Sequence, residues 1–228
     1  FFGDTVKAEY AAYKKSSAPI LLYHAVGEPV EIEWPPGLIL PASLFEEHLQ
    51  YLTEEGYQII TVAELAERLK FGYSVEKFVA MSFDDGYRNN HSEALPLLKK
   101  YNAKASFYIV DRDIGKTIYM NQSQLLDLLA SDMEIGSHTI NHAPLALIDP
   151  KYLPWEVGSA KKFLETKLNG YVLQGKAYPN GGYNDNVINA MQEHGFVYGL
   201  TGKVGANTHQ NFAKAPYEMY RISIVDDG

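Results

Sequence analysis

The chain has 228 residues, 46% of them hydrophobic and 21% charged, enough apolar material for a full core. A net charge of −8 with no basic run excludes a nucleic-acid-binding surface, because phosphate contacts need a positive face. The absence of cysteine excludes disulfides and thiolate metal ligands, and the apolar runs are too short to cross a bilayer.

Residues 1–18 read as an N-terminal arm, with no basic and apolar leader pattern at the start. Residues 20–23 form a short buried-strand run. Ser43 is placed to cap a helix whose Phe45, Leu49 and Leu52 share one face and which Gly56 stops. A strand over 57–60 follows, and Thr61 with Glu64 spells a capping box for the next helix. The alternation continues with a strand over 78–83, a helix over 91–101 and a strand over 105–110. Next come a helix over 122–130, a strand over 133–135 and a helix over 154–168. A strand over 176–178, a helix over 184–194 and strands over 196–200 and 221–225 complete the chain. Such βα alternation predicts a parallel sheet covered by helices, and seven or eight units in one domain predict an α/β barrel. The domain is expected to run from 19 to 228.

The polar residues fall where strands end. His24 follows the first strand, Asp84 and Asp85 follow the 78–83 strand, His138 follows the next but one, and Pro179-Asn180-Gly181 follows another. In a barrel these positions share one face. Two adjacent carboxylates at a strand end repel one another unless a cation intervenes. One carboxylate with His138 and His142 can hold a divalent ion, leaving the other carboxylate as a base. That is equipment for hydrolysing an unreactive bond such as an amide. His48, His91, His194 and His209 read as surface or packing residues.

Phe83-Asp84-Asp85-Gly86 and His138-Thr139-Ile140-Asn141-His142 resemble the motifs of the polysaccharide deacetylases, the NodB-homology family of carbohydrate esterases (family 4). Ala177-Tyr178-Pro179-Asn180-Gly181-Gly182-Tyr183-Asn184 is similar to a third segment of that family, and the resemblance runs from about 18 to 225. It implies a single-domain distorted (β/α)7 barrel, Asp84 as general base, and Asp85, His138 and His142 as ligands of one divalent metal. Zinc is the expected ion, and nickel, cobalt or manganese could occupy the same donor set. Leu22-Tyr23-His24 matches a motif that usually lies late in the family and supplies the general acid. Its place at the front resembles the circularly permuted order of poly-N-acetylglucosamine deacetylases.

The resemblance thus implies removal of acetyl groups from an N-acetylglucosamine polysaccharide, poly-β-1,6-linked before chitin or peptidoglycan, outside the cell or at its surface. Tyr178, Pro179, Asn180 (through its backbone N–H) and Trp34 are the expected substrate contacts. Two departures stand out: Ala177 where many members carry an arginine, and Asn180 where an aromatic is usual. Arg221 is a candidate substitute cation. A small-amide or imide hydrolase, a catalytically impaired glycan-binding domain and a non-haem iron oxygenase are the competing readings. The oxygenase is disfavoured by the extra Asp84 and the barrel pattern.

Overall fold

The structure, a computed structural model, describes residues 16–28 and 37–225. Trp34 and most of the N-terminal arm lie outside the described residues. The strands in chain order are β1 (Ser17–Tyr23), β2 (Ala25–Val26), β3 (Ile39–Leu40), β4 (Gln58–Ile60), β5 (Phe78–Phe83) and β6 (Ser106–Ile109). They continue with β7 (Glu134–Ser137), β8 (Gly175–Ala177), β9 (Tyr198–Leu200), β10 (Ala206–Thr208) and β11 (Ile222–Ser223). β1 therefore opens inside the stretch assigned to the arm.

One curled sheet runs β10-β1-β5-β6-β7-β8-β9, with β4 added to β5 and β11 to β1. All its pairs are parallel except β1 with β10. The sheet curls into a half-barrel of the distorted (β/α)-barrel type expected, and β1 is the strand that matters most for its order. Although first in the chain, it lies between β5 and β11, with Leu22 opposite Ser82 and Tyr23 opposite Phe83. The next residues, His24 and Asp84, therefore leave the sheet side by side, and the Asp84 N–H donates to the Tyr23 carbonyl at 3.0 Å.

Strand alternation divides the core in two. Val79, Met81, Phe83, Phe107, Ile109 and Ile135 face one side, where Phe83 stacks on Phe107 (4.8 Å) and Tyr23 (5.2 Å). Ile20, Ala80, Tyr108, Ala177, Tyr198 and Leu200 face the other, covered by helix Val62–Phe71 through Val62, Leu65 and Leu69. Gly136 is required on that second face, since a Cβ there would lie 2.3 Å from the Tyr108 ring. Tyr108 reaches Tyr198 (2.8 Å between hydroxyls), and Tyr198 in turn donates to buried Glu134.

Most expected helices are present, with two instructive shifts. The helix assigned to a Ser43 cap begins at Ala42, with Pro41 at the cap and no side-chain cap bond. Proline fixes φ (here −52°) and starts the helix one position before the serine. The helices expected over 91–101 and 154–168 each open with a wide π-helical turn, Asn90–Ala94 and Pro154–Ser159, before becoming α-helical. Thr61 forms the expected capping box, with both bonds at 3.1 Å.

Candidate active site

The register carries the functional residues to one edge of the sheet. Ser137 pairs with Lys176 and Ala177 with Leu200, so His138 leaves β7 beside Ala177. The Asp84-Asp85-Gly86 turn then bends the chain sharply: Asp85 has φ 74° and Gly86 φ 81°. Asp84 continues the strand direction while Asp85 swings toward the histidines. Asp85 Oδ1 lies 3.4 Å from His138 Nε2 and 3.4 Å from His142 Nε2. These three residues can each direct one donor atom to a common centre, with all donor atoms within 4.8 Å of one another.

The protonation pattern fits a metal. His138 Nδ1 lies 2.9 Å from the Ala177 carbonyl, which can only accept, so Nδ1 carries the proton and Nε2 presents its lone pair to the centre. Burial and the adjacent His138 hold His142 below the ordinary imidazole range, which keeps it neutral and able to ligate. Burial alone would raise the Asp85 carboxyl, yet the positive charge that His138, His24 and His142 present when protonated holds it well below the usual carboxylate range, a charge that a divalent ion would replace. Three donors of the hard–borderline N,N,O type thus face one another in the forms a divalent ion requires.

Asp84 stands apart from this set. It is 3% exposed, and its Oδ1 accepts from Arg221 Nη1 at 2.8 Å, while Oδ2 stays 4.0 Å from His138 Nε2. Burial would push this carboxyl up, but the Arg221 guanidinium, with His138 and His24 nearby, holds it below the ordinary range. Arg221 is itself buried and donates through Nε to the Thr201 carbonyl at 3.1 Å. The cation that Ala177 does not provide therefore comes from the last strand region. His24, half-buried at the end of β1, contributes to the field at both aspartates.

The third segment is placed differently from expectation. Tyr178 is fully buried, donates its hydroxyl to the Tyr217 carbonyl (3.0 Å) and stacks on Tyr183 (5.3 Å), so it has no surface to offer a sugar. Pro179 is buried, and Asn180 is exposed in the left-handed region (φ 55°, ψ 17°). Gly181 must be glycine: its φ is 70° and a Cβ would lie 2.4 Å from the Gly202 nitrogen. His48, His91, His194 and His209 all lie away from the ligand set. His48 contacts the Tyr23 hydroxyl, His91 pairs with Asp127, His194 packs on Gly158 and His209 bonds the Leu69 carbonyl.

Sequence reasoning missed several supporting residues. Tyr87, buried and stacked on Tyr119 at 5.2 Å, stands beside Asp85, and burial together with the Asp85 charge pushes its hydroxyl up. Glu156 and Lys176 are buried behind the ligand loop. Asp111 lies there too, its N–H donating to the Thr139 carbonyl and neither carboxyl oxygen having a hydrogen-bond partner among the described residues. Burial pushes Asp111 up to about 7, against a partial offset from Lys176. An acid whose pKa is raised on folding takes up protons on folding, so its contribution falls as pH rises from about 4 toward 7. Asp111→Asn removes that term. Urea-denaturation midpoints measured across this window should show a more positive slope of stability against pH in the variant than in the wild type.

The sequence profile of the family described as polysaccharide deacetylase matches residues 72–199. YxkH of Bacillus subtilis (strain 168), which bears the name of a polysaccharide deacetylase, is 28% identical over 222 residues, covering 97% of this chain and 76% of that protein. The poly-β-1,6-N-acetyl-D-glucosamine N-deacetylase of Staphylococcus epidermidis is 28% identical over 196 residues, 80% of this chain and 67% of that one. Among solved structures, the Streptococcus pyogenes deacetylase PplD in complex with acetate superimposes with a TM-score of 0.83 at 27% identity, covering 92% of this chain and 93% of that chain. The matched residues contain both aspartates and both histidines of the cluster, and the chain belongs to the polysaccharide deacetylase family, hydrolases of amide bonds in acetylated glycans.

Proposed function

We propose that this chain is a zinc-loaded N-deacetylase of poly-β-1,6-N-acetylglucosamine, acting outside the cell or at its surface. The observation that carries the reading is the position of β1. It brings His24, at the front of the chain, beside Asp84 and Asp85 in a site otherwise built from residues 84 to 221. The similarity to the Staphylococcus epidermidis protein, over 80% of this chain, supports the β-1,6-linked substrate. The extracellular setting follows from that substrate.

Asp85, His138 and His142 would hold the ion, which supplies Lewis-acid activation of water and of the acetamide carbonyl. Asp84, its Oδ1 fixed by Arg221 and its Oδ2 open toward the ligand set, takes the proton from the attacking water. His24, on the neighbouring strand end, gives a proton to the departing sugar amine, which is too poor a leaving group as an anion. The backbone N–H of Asn180 is the oxyanion donor in this reading, and a preorganised donor of that kind is worth about 3–4 kcal/mol. Acetate and a free glucosamine unit result.

The linkage is tested by initial rates of acetate release from matched β-1,6- and β-1,4-linked N-acetylglucosamine oligomers. Faster release from the β-1,6 series is expected. Faster release from the β-1,4 series would move the substrate to chitin or peptidoglycan strands and leave the deacetylase standing.

A further inference from the structure

The ligand loop 138–142 has a backbone that does not hold itself. Thr139 (φ 71°) and His142 (φ 55°) both occupy the left-handed region, and for a β-branched threonine this is a strong outlier. Such a loop keeps one shape only if something outside it fixes the shape. The Asp111 and Arg112 N–H groups hold the Thr139 and Ile140 carbonyls from one side (3.1 Å each), and the side-chain anchor is Glu156, in the π-helical turn Pro154–Ser159. Its carboxylate, 5% exposed, accepts from three donors of the loop. Oε2 takes the N–H groups of Ile140 (3.0 Å) and Asn141 (3.1 Å), and Oε1 takes Asn141 Nδ2 (2.6 Å).

The same turn is tied to the other ligand support. Lys176 Nζ donates to the Glu156 carbonyl (3.2 Å) and to Ser137 Oγ (2.8 Å), and the next residue, Ala177, gives the carbonyl that orients His138. One buried post thus braces the supports of both histidines.

We infer that Glu156 is the positioning residue that sets the metal-ligating geometry of His138 and His142, through three hydrogen bonds to the backbone and side chain of residues 140 and 141. This rests on the metal site of the proposed function. A carboxylate is the group required, because all three donors converge on acceptor lone pairs. A glutamine keeps one acceptor oxygen for the two backbone N–H groups, gives up the charge, and meets the third donor only when the Asn141 amide turns over.

The test is Zn²⁺ affinity of the metal-stripped full chain, measured by competition with a chromophoric chelator, together with the melting temperature without and with Zn²⁺. Glu156→Gln is expected to bind Zn²⁺ about 10–100-fold more weakly, the usual effect of losing a group that orients a ligand. Its melting temperature should rise less on adding Zn²⁺. Asn141→Ala, an exposed position, removes a single bond of the clamp and should weaken binding by a smaller factor. If Glu156→Gln does not fold, this second variant decides the matter. Glu165→Gln is the control for stability alone. That carboxylate lies on the same helix, pairs with Lys161 and accepts from the Leu173 N–H (3.0 Å), tying the following loop to the helix, so the variant should melt lower with Zn²⁺ affinity unchanged. Wild-type affinity in folded Glu156→Gln and Asn141→Ala would overturn the inference while leaving the metal site intact. No Zn²⁺ uptake by the wild type would instead overturn the metal site itself, and the inference with it.

Discussion

Asp84→Asn is expected to lower acetate release by about 10²–10⁴-fold, the usual contribution of a positioned general base, while the protein still takes up one equivalent of metal. Asparagine keeps an oxygen able to accept from Arg221 but cannot take a proton at neutral pH. The carboxylate is not in the ligand set: its Oδ2 lies 4.0 Å from His138 Nε2, whereas Asp85 Oδ1 is 3.4 Å from both ligand histidines. His138→Ala should lose metal and activity together, because its Nε2 is one of the three donors. Initial rates paired with metal content per chain separate the two variants. Turnover by Asp84→Asn near the wild-type rate would assign the base elsewhere.

Arg221→Met is expected to have the second largest effect, on stability and on pH dependence alike. The pair is buried on both sides, at 3% exposure for each residue, and removing one partner of such a pair costs about 3–5 kcal/mol. The sign of the pH effect follows from Asp84. In the wild type its folded pKa lies below the ordinary value, so its contribution is present above the unfolded carboxyl pKa and lost as pH falls through the folded one. Without the guanidinium, burial dominates and raises the carboxyl, which then takes up a proton on folding. The stability gap between variant and wild type should therefore widen from pH 5 to pH 8 in denaturant titrations of the metal-free protein. The acid limb of the kcat/KM profile should move to higher pH. Arg221→Lys, which keeps the charge, should recover part of both effects. A gap that is constant with pH would show that Arg221 acts only through packing.

The site was legible in the sequence where local pattern and strand ends coincide. Asp84 and Asp85 follow a strand that is apolar except for Ser82, His138 follows the short Glu134–Ser137 strand, and a parallel sheet places such positions on one edge. His24 was legible for the same reason, and the register of Tyr23 with Phe83 puts it beside Asp84. What was hidden depends on distant packing. Glu156 sits in an amphipathic stretch where a glutamate reads as solvent-facing, and only the 138–142 loop folding over it makes it a buried acceptor. Lys176 reads as a strand-edge charge but is fully enclosed. Tyr178 reads as an aromatic of the groove, yet Gly199 leaves the space its hydroxyl fills and the Tyr217 carbonyl accepts its hydrogen bond. Arg221 reads only as a candidate cation, because its pairing with a residue 137 positions earlier has no local signature. The antiparallel β10 was missed because its three residues, Ala206–Thr208, carry too little pattern to register.

The central claim is that a strand at the front of this chain completes a metal-dependent amide-hydrolysing site. It is tested most directly by acetate release from a β-1,6-linked N-acetylglucosamine oligomer before chelation, after chelation and after Zn²⁺ is restored. Release that disappears with the metal and returns with it is the predicted result. No release with Zn²⁺ verified in the site, or release that survives complete chelation, would contradict it.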